Sequence, residues 1–98
     1  MTINNERNNE TLTLIIEGRL DTATAPELEQ VVTEETGDVK ELILDMNALD
    51  YISSAGLRVL LAAQKKMNKQ GSMKLKGVCD GVMEIFEMTG FADILDIE

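Results

Sequence analysis

The chain has no histidine and no tryptophan. It has a single cysteine, Cys79, a single proline, Pro26, and half as many basic as acidic residues, nine against eighteen. Each shortage excludes a class of function. Without histidine there is no Ser-His-Asp or Cys-His catalytic site and no His-ligated zinc. One cysteine closes no internal disulfide and forms no CxxC site, and it fits a reducing compartment. A net charge of −9 sets the overall field against nucleic acid and anionic membranes, so neither is expected as a partner. No apolar run approaches the roughly 20 residues that cross a bilayer, and the opening MTINNERNNE lacks the apolar segment of a secretory signal. A cytoplasmic location is therefore expected. Neither G-x-x-x-x-G-K-[ST] nor G-x-G-x-x-G occurs, so no phosphate-cradling loop points to an enzyme or a nucleotide cofactor. With Phe86, Phe91 and Tyr51 as the only aromatics, the core must be built from Leu, Ile, Val, Ala and Met.

What remains is 98 residues, one domain's worth of chain, 44% apolar and 28% charged. Residues 3–7 read as an edge strand, with Asn8-Asn9 as a turn. Residues 11–16, Thr-Leu-Thr-Leu-Ile-Ile, are β-branched and alternate, which predicts a central strand in a hairpin with the first and ended by Gly18 and Asp21. Pro26 opens a helix, preceded by Thr24 or Ala25, with Leu28, Val31 and Val32 on its dry side and Gly37 stopping it. Residues 41–46, Glu-Leu-Ile-Leu-Asp-Met, predict a buried strand, and residues 47–52 a loop. A helix runs from about Ser53 to Gln70, with Lys65, Lys66 and Lys69 near the negative end of its dipole and Gly71 as C-cap. Residues 73–78 predict a strand and 81–89 a short helix ended by Gly90. Ile94, Leu95 and Ile97 close the chain as a last short strand or a turn. This order predicts a single α/β domain over residues 1–98. Its sheet is four- to five-stranded and mostly parallel, with an antiparallel N-terminal edge strand and three to four helices.

The most informative stretch is Leu42 to Leu61, LILDMNALDYISSAGLRVLL. A strand ends at Asp45, a loop follows, and Ser53-Ser54-Ala55-Gly56 opens a helix at the carboxyl edge of the sheet. Unpaired N–H groups and the positive end of the dipole sit there and accommodate an anion. Serine is a preferred N-cap, worth about 1 kcal/mol, which accounts for one of the two hydroxyls. The second is left over. Gly56, in the first turn, costs roughly 0.5–1 kcal/mol against alanine, and beside Ala55 it suggests a surface that another protein can approach closely.

These residues carry a resemblance. The chain resembles STAS-domain proteins, and among them the stand-alone anti-sigma-factor antagonists of bacterial partner-switching systems. The match lies in Gly18-Arg19-Leu20-Asp21 with Thr24-Ala25-Pro26 and Leu28, in Leu44-Asp45 through Ile52-Ser53-Ser54-Ala55-Gly56-Leu57, and in Ile85-Phe86 with Thr89-Gly90-Phe91 and Ile94-Leu95. The resemblance implies a phosphorylated serine two positions before the motif glycine, which is Ser54, with Ser53 as a minor alternative acceptor. Relatives usually carry aspartate where this chain has Ser53, so one acidic group is missing from the kinase-facing loop. It further implies a non-enzymatic protein that binds an anti-sigma factor with serine-kinase activity and frees the sigma factor. Phosphorylation would end that binding, and a PP2C-type phosphatase would reset it. The alternative is a STAS module of another assembly: a stress-sensing complex, a lipid-trafficking scaffold or a transporter's cytoplasmic part.

The partner-binding residues implied are Asp21, Thr22, Ser53, Ser54, Ala55, Gly56 and Arg58. Arg58 lies four residues beyond Ser54, so the two share a helix face. Asp21 is almost as well accounted for by a turn before a helix. Asp45 and Asp21 are too scattered to indicate a metal, and none is expected. Cys79 reads as a buried small apolar residue, and Met67, Met73, Met83 and Met88 as core filler in a chain short of aromatics rather than as an adaptable binding surface. Charge is uneven. Residues 1–50 carry three basic and twelve acidic groups, whereas Arg58 to Lys76 holds six basic groups and no acidic one. A compact, strongly charged domain is expected to be a monomer.

Overall fold

The computed structural model describes residues 1–98. Strand β1 (Thr2–Asn8) turns at Asn9, whose φ of 58° is the left-handed conformation that asparagine tolerates, into β2 (Thr11–Leu20). Helix α1 (Ala25–Glu35), β3 (Glu41–Ile52), α2 (Ser54–Gln70), β4 (Ser72–Lys76) and α3 (Asp80–Thr89) follow, and a 3₁₀ turn at Phe91–Asp93 leads into the tail. The strands lie in the order β1-β2-β3-β4; β1 runs antiparallel to β2, and the other pairings are parallel. The tail adds one parallel bridge beyond β4, between Ile97 and Leu75, so the closing strand is realised as a single pairing.

Strand alternation decides the layers. Leu12, Leu14 and Ile16 of β2 are buried, as are Leu42, Leu44 and Met46 of β3 and Met73 and Leu75 of β4. Register aligns them in rows, Leu12 beside Leu42 beside Met73, and Leu14 beside Leu44 beside Leu75. All point to one face, because side chains two apart share a face. Leu28 and Val32 of α1, Leu57, Leu60, Ala63 and Met67 of α2, and Val82 and Phe86 of α3 close the same core of 23 buried residues. The helices therefore form one layer on one side of the sheet. Each fully buried Leu, Ile or Phe contributes about 1.5–3 kcal/mol.

Three sequence expectations are corrected. The segment expected as a loop, residues 47–52, continues β3 to Ile52. Alternation fails there because β3 carries one extra residue relative to β2 at each of two bulges, between Asp45 and Ala48 and between Leu49 and Tyr51. β2 likewise runs through Gly18 to Leu20, so of the two expected stops Asp21 ends it and Gly18 does not. Cys79 is exposed, not buried: it stands at the N-cap of α3, its thiol 3.6 Å from the Leu49 carbonyl.

Helix α1 is held at its far end by the helix beside it. The Gln70 side-chain amide donates to the carbonyls of Thr36 and Val39, both at 2.6 Å, and buried Thr36 donates its hydroxyl to the Val32 carbonyl. At Gly71 the chain passes so close to Lys40 that a Cβ would lie 1.8 Å from the Lys40 carbonyl oxygen, which admits only glycine. That contact lets Ser72 donate its N–H to the same carbonyl at 2.8 Å and start β4 in register.

Candidate functional site

The site lies at the carboxyl end of β2 and β3, where both strands hand the chain to helices. The Ser53 N–H donates to the Leu20 carbonyl at 2.9 Å, so the start of α2 is tied to the end of β2. Ser53 has extended backbone angles, and its hydroxyl accepts the Gly56 N–H at 3.5 Å, which makes it the N-cap. Ser54 is then the first helical residue, and it is exposed. The two hydroxyls divide the work as expected: Ser53 closes the helix and Ser54 faces solvent at its positive end.

Gly56 corrects a further expectation. It is buried, and a Cβ there would lie 2.7 Å from Leu20 Cγ and 2.8 Å from Ile52 Cγ1. The missing side chain lets the first turn of α2 sit on the ends of β2 and β3. It serves the inner side of the helix, and the outer approach is left to Ser54, Ala55 and Arg58.

The loop before α1 is organised by Asp21. Its Oδ1 accepts the N–H groups of Ala23 and Thr24 at 3.0 and 3.1 Å, and its own N–H donates to Thr24 Oγ1 at 2.9 Å. The Thr24 hydroxyl is in reach of the Arg19 carbonyl at 2.7 Å and Asp21 Oδ1 at 3.1 Å. Thr24 thus precedes α1 without capping it through its side chain. The Thr24 N–H leads the hydrogen bonds that hold the Asp21 carboxyl below its usual range, with Arg19 adding a smaller attraction at 3.8 Å. The turn reading of Asp21 therefore holds.

Arg19, which sequence reasoning passed over, stacks on Tyr51 at 4.3 Å from the ring centroid. The second bulge pairs these two residues across β2 and β3. Their contact follows from bulged register, so no sequence period discloses it. Asp45 is also a local organiser: its Oδ1 accepts the Asn47 N–H at 3.1 Å and the Asn47 side-chain amide at 2.8 Å, which serves a backbone donor at the first bulge.

Thr22, Ala25 and Pro26 from the α1 side meet Ala55, Arg58 and Val59 from α2 around an open cleft of about 220 Å³, with Glu29 on its wall. So the structure brings Thr22, Ala55 and Arg58 together beside Ser54. Arg58 is exposed and takes part in none of the protein's four ion pairs. Nowhere do three or more His, Cys, Asp or Glu side chains gather as a metal site would require, and no helix is long and apolar enough to cross a membrane.

The STAS domain family model matches residues 2–98. The chain belongs to the STAS domain family. It is 32% identical over 97 residues to the anti-sigma-B factor antagonist of Listeria monocytogenes, a match spanning 95% of this chain and 83% of that one. Its fold is similar to that of an anti-sigma factor antagonist from Mycobacterium paratuberculosis, with a TM-score of 0.88 at 24% identity over 98% of this chain and 83% of that one. The Bacillus cell fate determinant SpoIIAA in its phosphorylated form shares the fold at a TM-score of 0.77 and 17% identity, over 99% and 91% of the two chains. The mixed sheet with its antiparallel first pair is the architecture of these STAS proteins, and the Ser53-Ser54 turn stands where its strands end.

Proposed function

We propose that this STAS protein is an anti-sigma factor antagonist switched by phosphorylation of Ser54. Unmodified, the surface around Ser54, Ala55, Thr22 and Arg58 binds an anti-sigma factor that is also a serine kinase, and the sigma factor is released. Phosphate on Ser54 ends the binding, and a PP2C-type phosphatase restores it. The protein acts in the cytoplasm as a monomeric binding partner and kinase substrate, not as an enzyme. The supporting observation is the division of the serine pair: Ser53 is committed to the cap, while Ser54 is exposed at the first position of α2.

The physics of that position suits a switch. A phosphate adds about −1.5 to −2 charges. At a helix N-terminus it is stabilised by the dipole and free N–H groups, so the domain accepts it without refolding. A partner pressed against the same spot would meet a bulky dianion that it has no group to neutralise, and that desolvation cost opposes binding. Ser53 keeps the cap without placing a negative charge beside Ser54.

Mass spectrometry of the protein from its own host tests this, with Ser54→Ala alongside. One phosphate on Ser54, absent from the variant, is the expected result. Phosphate on Ser53 alone would move the site. Its absence under every growth condition with phosphatases inhibited would favour a constitutive STAS scaffold.

A further inference from the structure

Helix α2 carries no acidic residue in a protein whose net charge is −9. Its cations have a definite arrangement. At about 100° per residue, Ser54, Arg58, Lys65 and Lys69 fall within an arc of about 60° and form a stripe about 22 Å long. Arg58, Lys65 and Lys69 are all exposed. The protein's ion pairs use Arg7, Arg19 and Lys74, and leave these three without a carboxylate partner. Lys66, on the flank, is engaged differently, with its ammonium 3.5 Å from the carbonyls of Val32 and Thr33 at the end of α1. Exposed Ala62 and half-buried Leu61 lie along the stripe. The clefts between α1 and α2, lined by Ala55, Val59, Ala62 and Ala63, run alongside. Glu29 lines both clefts and pairs with neither Arg58 nor Lys66 within 4 Å, so α1 does not neutralise the stripe.

A helix-terminal dipole accounts for Lys69. It does not account for Arg58, which sits near the opposite, positive end of the same helix. Nor does solvation alone explain why the one unpaired row of cations in an acidic chain begins at the proposed switch residue. We infer that the α2 stripe is a docking surface for an acidic face of the anti-sigma factor, extending the Ser54 contact along about four turns of helix. This rests on the reading of Ser54 as the switch and adds the partner's chemistry to it. Opposite charges steer encounter and fix register more than they add affinity. The stripe thus supplies association rate and orientation, while the Ser54 end supplies the switch. Phosphate on Ser54 would also engage Arg58 one turn away. At a physiological screening length of about 8 Å it would not reach Lys65 or Lys69.

The test compares binding of the full chain to the purified host anti-sigma factor for wild type, Ser54→Asp, Lys65→Glu/Lys69→Glu and a control, Lys40→Glu/Lys76→Glu. The control changes net charge equally at exposed lysines off the stripe. Thermal melts confirm that each variant is folded. In low salt, the stripe variant is expected to associate at least tenfold more slowly and to lose most of the salt dependence, with the control within about twofold of wild type. If Ser54→Asp abolishes binding while the stripe variant associates like the control, the docking surface is refuted and the switch survives. If Ser54→Asp binds like wild type, the switch itself fails, and the docking proposal with it. Binding of a DNA duplex that disappears only in the stripe variant would assign the stripe to nucleic acid and overturn the proposal.

Discussion

Two single atoms in the site have large consequences. The Cβ that Gly56 lacks would collide with Leu20 and Ile52. Gly56→Ala gains helix propensity, at most about 1 kcal/mol, but overpacks two buried side chains, at about 1–3 kcal/mol. A net loss of up to about 2 kcal/mol is expected, read as a lower urea midpoint at unchanged slope; a raised midpoint would show that the strand ends give way freely. Asp21 is the second case. Its folded carboxyl titrates below the ordinary value because the Thr24 N–H and its neighbours bind the charged form. A depressed carboxyl stabilises the fold above its unfolded pKa and loses that contribution as pH falls through its folded pKa. Asp21→Asn keeps an acceptor oxygen but not the charge. Its melting temperature should lie below wild type at pH 7, with the gap closing in acid. A gap that persists undiminished at pH 2 would mean that the carboxylate charge is not what matters.

At the scale of the element, α2 begins where its serines divide their roles. The Ser53 cap is long, 3.5 Å to the Gly56 N–H, so Ser53→Ala should cost at the low end of the capping range, about 0.5–1 kcal/mol. Ser53→Asp should cost nothing, since aspartate caps as well and its charge suits the dipole. Hydrogen exchange of the Ala55 and Gly56 amides distinguishes the two: faster in the first variant, unchanged in the second. Equal exchange in both variants would mean that the Leu20–Ser53 backbone bond alone fixes the helix start. The second half of β3 shows the converse, an element made by its neighbour. Asn47, Ala48 and Asp50 have little strand propensity, yet the strand runs through them: Ala48 pairs with Glu17 of β2, while Asn47 and Asp50 fall in the two bulges, the first of them steadied by Asp45.

For the molecule as a whole, the switch needs no change of fold. The core closes one face of the sheet with 23 buried residues, and exposed Ser54 is not among them. Ser54→Asp should leave circular dichroism unchanged. A carboxylate in the first turn is worth about 0.3–1 kcal/mol, so the melting temperature should stay level or rise by a few degrees. A drop of more than about 5 °C would place the switch in stability and not in the binding surface.

Composition and periodicity by themselves determined the class and the layout. Missing histidine and excess acid excluded catalysis by imidazole and an overall field for nucleic acid. The alternation in Thr11–Ile16, the short apolar run in Glu41–Met46 and the helical spacing of Leu57, Leu60 and Met67 placed the sheet and the helix that follows it. These are local signals, set by which side chains must leave water. The same locality explains why Ser53 and Ser54 were legible, since a cap and a first turn are neighbours in sequence. Tertiary structure alone decided the rest. It made residues 47–52 a strand, because β2 offered hydrogen bonds that no local propensity called for. It stacked Arg19 on Tyr51 through a bulged register, and turned Gly56 inward against Leu20 and Ile52. It exposed Cys79 at a helix start and left the α2 cations unpaired. Each of these depends on what lies opposite in space, and that is fixed only when the sheet, with its two extra residues, closes against the helices.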